Sequence, residues 1–126
     1  MKVRDIMTKS VETVSPDATI KDAAQIMQRH NVGSVPVVDT NGLVGIVTDR
    51  DIVVRNIATG QDPSSTQVKN IMTTQLMTAS PEEDIHSVSS KMSSRQIRRL
   101  PVVENQRLVG MVSLGDIATT GKTDME

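Results

Sequence analysis

The sequence predicts an α/β fold made of one β-α-β-β-α unit used twice. Three observations predict it. The stretch Leu43-Val44-Gly45-Ile46-Val47-Thr48-Asp49-Arg50-Asp51-Ile52 reads as a buried strand, a polar turn and the first turn of a helix. The same pattern returns at a constant offset of 65 residues as Leu108-Val109-Gly110-Met111-Val112-Ser113-Leu114-Gly115-Asp116-Ile117. Residues 3–55 and 68–120 align without a gap, and the identities are spread along the whole unit, so a fold is duplicated rather than a loop.

The elements follow in order. Val3–Thr8 reads as a short helical turn, and Val11–Val14 as a strand stopped by Ser15-Pro16. A helix is expected from about Thr19 to His30, with Thr19 as N-cap and Asp22 three residues on. Ile20, Ala23, Ala24 and Met27 fall on one apolar stripe. Asn31–Ser34 breaks it, with Gly33 supplying flexibility. Val35–Val38 and Leu43–Thr48 are strands joined by a turn whose Asn41-Gly42 suits positive φ. Asp49 is expected to cap a helix running to about Ala58. Repeat two follows the same course: a strand near Leu76–Ala79, a helix over Ile85–Arg95, strands at Leu100–Val103 and Arg107–Val112, and a helix over about Leu114–Thr119. The implied division is repeat one at 1–59, a linker at 60–67, repeat two at 68–120 and a frayed polar tail at 121–126.

Composition narrows the function. The chain has 126 residues, one domain's worth, and each half is of a size at which a lone core is marginal. It holds no Phe, Trp or Tyr, so the core must be Val, Ile, Leu, Ala and Met, and the stacking platforms of single-strand nucleic-acid binders are missing. With 14 basic and 15 acidic residues there is no electrostatic reason to expect a nucleic acid or an anionic membrane as partner. The lack of cysteine excludes disulfides, thiol catalysis and thiolate metal sites. No leader-like run and no 18-residue apolar stretch is seen, so a cytoplasmic protein is expected.

The constellation with most chemistry is Gly45-x-x-Thr48-x-x-Asp51, repeated as Gly110-x-x-Ser113-x-x-Asp116. A helix N-terminus favours phosphate, and a nearby carboxylate can accept from two sugar hydroxyls. The competing reading is a plain helix cap, and the two roles are compatible. His30 and His86 share no ligand spacing with carboxylates and read as surface residues. Asp49 and Asp51 diverge too far at i, i+2 to hold Mg²⁺ well. The methionines recur at equivalent places and read as core. No P-loop, nucleophile elbow or His-centred triad is present, so an enzyme is not expected and no cofactor is implied.

Taken with Ile6-Met7-Thr8, Val14-Ser15-Pro16 and Val35-Pro36-Val37-Val38 and their second copies, the pattern resembles the cystathionine-β-synthase (CBS) domain family over residues 3–120. The resemblance implies a tandem CBS pair, or Bateman module, with two repeats about a pseudo-twofold axis and two clefts for adenine nucleotides or S-adenosyl compounds. It groups Thr48, Arg50 and Asp51 with Leu76, Ile97, Arg98 and Arg99 in one cleft. The other would take Ser113 and Asp116 with Val11, Val32, Gly33 and Ser34. Three guanidinium groups favour the first set for a phosphorylated ligand (AMP, ADP or ATP), although Arg98 and Arg99 also read as a solvated helix C-terminus. The resemblance further implies a homodimer through helix faces, those after Thr48 and near Ile20–Met27 being candidates, and a regulated protein partner. The alternative is a ligand-free, stress-related scaffold.

Overall fold

The computed structural model describes the backbone of residues 1–124 and the side chains of residues 1–119. Its helices are α1 (Ile20–His30), α2 (Asp49–Asp51, continuing as a π-helical stretch over Ile52–Ile57), α3 (Ile85–Arg95) and α4 (Leu114–Asp124). The strands are β1 (Ser34–Asp39), β2 (Gly42–Thr48), β3 (Arg99–Glu104) and β4 (Arg107–Ser113), and single 3₁₀ turns lie at Val3–Asp5 and Val68–Asn70. The chain divides into two compact units, one of residues 12–76 and one of residues 1–11 together with 77–126.

In the 12–76 unit, β1 and β2 form an antiparallel hairpin with Val35 opposite Val47 and Val37 opposite Gly45. Val38 then faces Leu43, so Val44 is an extra residue that bulges the strand. The expected strand at Val11–Val14 shrinks to one parallel bridge from Val14 to Val37. Ser15-Pro16 turns the chain at once, with Ala18 N–H donating to the Ser15 carbonyl, and no second residue can pair. The Leu76–Ala79 strand reduces in the same way to a bridge from Ala79 to Val102.

Thr19 caps α1 as expected, in a reciprocal box with Asp22. The left-handed residue that ends α1 is Asn31 (φ 53°), not Gly33, and Gln96 (φ 56°) does the same after α3. Gly33 is small for another reason: a Cβ there would lie 3.0 Å from Asp49 Oδ2. In the first hairpin turn only Gly42 takes positive φ, whereas Asn105 and Gln106 both do in the second. Thr48, not Asp49, caps α2. Helix α4 continues to Asp124, past the expected end near Thr119; of the expected polar tail, residues 125–126 lie outside the described residues.

Each unit has its own core. In the 12–76 unit, Ile20, Ala23 and Met27 pack with Val35, Val37 and Val47. This spends the apolar stripe of α1 inside the unit and leaves the polar face of the helix exposed. In the other unit Ile85, Val88 and Met92 pack with Leu100, Val102 and Val112. Each core is completed by an arm that precedes the opposite repeat in sequence. Val68 donates its N–H to the Ala18 carbonyl and Lys69 to that of Pro16. Val3 and Arg4 make the equivalent bonds to Glu83 and Pro81. Val3 and Val68 are both fully buried. Further along the arms, Thr73 bridges Ile46 on β2, and Thr8 bridges Met111 on β4.

Candidate functional site

The open end of each hairpin carries the hydroxyl–carboxylate pair. In the 12–76 unit, Ser34 and Thr48 face each other across the strands. The chain leaves β2 with Thr48 still extended (φ −113°, ψ 162°) and turns directly into α2. Thr48 Oγ1 accepts from the Asp51 N–H at 3.0 Å, and Asp51 Oδ2 accepts from the Thr48 N–H at 3.0 Å. The cap and the proposed sugar acceptor are thus one structure. Asp51 is only 7% exposed. Burial of a carboxylate requires partners, and Asp51 has two that the sequence reading does not single out. Thr73 Oγ1 lies 3.2 Å from Oδ2 and 3.3 Å from Oδ1, and Arg55 Nε lies 3.8 Å from Oδ1. Both left a signal: Thr73 repeats Thr8, and Arg55 is at i+4 from Asp51.

The loop before β1 is tied to the same place, since the Asp49 N–H donates to the Gly33 carbonyl at 2.9 Å. Gly33, Ser34, Thr48, Asp49 and Asp51 therefore cluster within one unit, and Val32 is half-buried beside them in sequence. Ser34 Oγ is buried without a hydrogen-bond partner among the described residues. Arg50 is exposed, and no carboxylate among the described residues pairs with it. Leu76 is half-buried at the end of this unit.

The second unit repeats the plan. Arg99 faces Ser113 across β3 and β4, and the Leu114 N–H donates to the Arg98 carbonyl at 2.9 Å. Ser113 Oγ accepts from the Asp116 N–H at 3.1 Å, and Asp116 Oδ2 accepts from the Ser113 N–H at 3.3 Å. Asp116 is half-buried, less enclosed than Asp51. Arg98 and Arg99 are exposed and form no ion pair among the described residues. Ile97 packs against the core of this unit, and Val11 is half-buried at the end of its arm. Within this unit, then, the two arginines stand at the same hairpin mouth as Ser113 and Asp116.

Chemically, each mouth offers a hydroxyl, a carboxylate and backbone groups suited to a polar, hydroxyl-bearing ligand, with guanidinium charge nearby. No group of three or more His, Cys, Asp or Glu able to hold a metal occurs among the described residues. His30 is exposed and lies 3.7 Å from Glu12. No helix is long and apolar enough to cross a membrane among the described residues.

Known proteins are similar to this chain in sequence and fold. The CBS domain-containing protein YhcV of Bacillus subtilis is 47% identical over 116 residues, covering 92% of this chain and 82% of its own. The CBS domain pair of protein MJ0100, solved in complex with 5-methylthioadenosine and S-adenosyl-L-methionine, superposes with a TM-score of 0.84 at 33% identity, covering 98% of each chain. Hypoxic Response Protein I, solved with two coordinated zinc ions, gives a TM-score of 0.86 at 35% identity over 94% of this chain and 98% of its own. The CBS domain model matches twice, at residues 3–56 and 68–121. With both copies accounted for by sequence, fold and family model, the chain belongs to the CBS domain family as a tandem pair.

Proposed function

We propose that the chain is a cytoplasmic regulatory module that binds an adenine nucleotide and signals through a conformational change or a protein partner, without catalysis. Its family commonly supplies ligand-binding regulatory modules, and one structural neighbour carries adenosine-containing ligands. The observation that carries the reading is the hydroxyl–carboxylate pair built at both hairpin mouths, at Thr48/Asp51 and Ser113/Asp116. In this reading the carboxylates take ribose hydroxyls, and Arg50, Arg98 and Arg99 take phosphate. The ligand favours one conformation of the module and shifts its population.

A second reading, a ligand-free scaffold acting as a homodimer, is favoured by two observations. Asp51 already has internal partners, and Val53, Val54 and Ile57 stand 58%, 50% and 56% exposed along the π-helical stretch. Such a patch fits a second copy of the chain.

Dye-reported thermal melting with AMP, ADP, ATP, NAD and S-adenosylmethionine separates the two. A ligand at about 100 times its Kd stabilises by about 2.7 kcal/mol, a shift of several degrees. The sensor reading expects such a shift, lost in Asp51→Ala or Arg98→Ala. No shift at millimolar ligand, together with a dimer in light scattering that Ile57→Asp converts to monomer, supports the scaffold.

A further inference from the structure

We propose that Arg55 is a latch over Asp51, and that a sugar diol must displace it to bind. The inference rests on the reading of Asp51 as a ribose acceptor. It starts from the unequal surroundings of the two carboxylate oxygens. Oδ2 accepts from the Thr48 N–H at 3.0 Å and has the shorter contact, 3.2 Å, with Thr73 Oγ1. Thr73 has one hydroxyl proton to share between Oδ2 and Oδ1, 3.3 Å away, and only Oδ2 also accepts from a backbone N–H, so Oδ1 keeps the more acceptor capacity. Arg55 Nε faces Oδ1 at 3.8 Å, an ion pair beyond hydrogen-bond length. The Asp51 side chain is 10% exposed and that of Arg55 is 55% exposed, which makes the guanidinium the outer partner.

The other end of the guanidinium reaches the arm. Arg55 Nη1 donates to the Ile71 carbonyl at 3.4 Å, two residues before Thr73. One side chain therefore ties the π-helical stretch both to the carboxylate and to the segment that brings Thr73 to it. A diol hydroxyl arriving at Oδ1 takes the place Arg55 covers and loosens its hold on the arm. The guanidinium is open to solvent and its contact with Oδ1 is longer than a hydrogen bond, which suits a contact that a ligand displaces.

The test uses adenosine, which keeps the diol and removes the phosphate that Arg55 could otherwise attract. Arg55→Gln is expected to bind adenosine about two- to five-fold more tightly than the unsubstituted protein, the range set by an ion pair that solvent screens from one side. The gain should vanish with 2′-deoxyadenosine and in the Asp51→Asn background. Arg55→Lys, which keeps a charge but cannot span both acceptors, should fall between. Unchanged or weaker adenosine binding by Arg55→Gln overturns the latch. If no variant binds adenosine or AMP, the nucleotide reading fails separately. Amide exchange then decides the latch: Arg55→Gln must speed exchange at residues 71–73, and unchanged rates overturn it.

Discussion

Gly45 and Gly110 show how a single residue type can be set by a neighbour rather than by its own backbone. Neither takes positive φ. A Cβ on Gly45 would lie 2.6 Å from Met72 Sδ and 3.0 Å from the Thr73 carbonyl. On Gly110 it would lie 2.8 Å from both Met7 Sδ and the Thr8 carbonyl. The Ile-Met-Thr arms thus dock onto the Leu-Val-Gly strands. Alanine at either site is expected to cost about 1–3 kcal/mol through overpacking. Gly110→Ala should cost more, because the methionine can move and the tighter carbonyl cannot. Urea unfolding followed by far-UV circular dichroism measures both, the chain having no Trp or Tyr to report. The motif was legible in the sequence as a repeat, but its reason was not. The two contacting segments are separated by 27 residues in one unit and by about 100 in the other, and nothing local links them. The capping residues were more legible. Thr19 with Asp22, and Thr48 with Asp51, act across three residues, and local spacing suffices to read them.

At the scale of elements, helices α1 and α3 appear where the apolar period places them. The edge strands do not, because a one-residue bridge carries no period to read. The first arm also has an electrostatic clasp that spacing could not reveal. Lys2 Nζ lies 2.7 Å and Arg4 Nη1 2.8 Å from the Glu82 carboxylate. The Lys2 hydrogen bond first, then the Arg4 and Lys2 charges, hold Glu82 below the ordinary glutamate pKa. A carboxylate with a lowered folded pKa contributes stability above its unfolded value and loses it as pH falls through the folded one. Arm protection should therefore hold at neutral pH and decline on acidification past the normal glutamate range. Carboxyl-carbon NMR of Glu82 against pH, with amide exchange at Val3 and Arg4, checks this. Glu82→Gln should remove the pH response while leaving the buried Val3 anchor in place.

Across the whole molecule, the compact units are offset from the sequence repeats. Each copy of the family model begins at an arm, yet that arm packs with the body of the other copy. The 12–76 unit is contiguous and carries its own arm, whereas the other takes its arm from the opposite side of that segment. A fragment of residues 12–76 is therefore expected to fold alone, marginally at its size, with a cooperative thermal transition by circular dichroism. Residues 77–126 alone should not, and adding a peptide of residues 1–11 should restore their helix content. A fragment of residues 1–59, cut at the repeat boundary, should stay unfolded, since it lacks Val68 and Ile71 from its core.

The sequence by itself determined the duplication, the family, helices α1 and α3, the two hairpins and the Thr48/Asp51 and Ser113/Asp116 caps that follow them. Each of these is written in short-range spacing or in direct self-similarity. The tertiary structure decided which arm completes which core, why Gly45 and Gly110 have no side chain, and that Asp51 is enclosed by Thr73 and Arg55. It also decided that the α1 stripe is buried within its own unit while Val53, Val54 and Ile57 are left outside. These are relations between segments far apart in the chain. They depend on which surfaces meet when apolar area leaves water, and no local pattern records that.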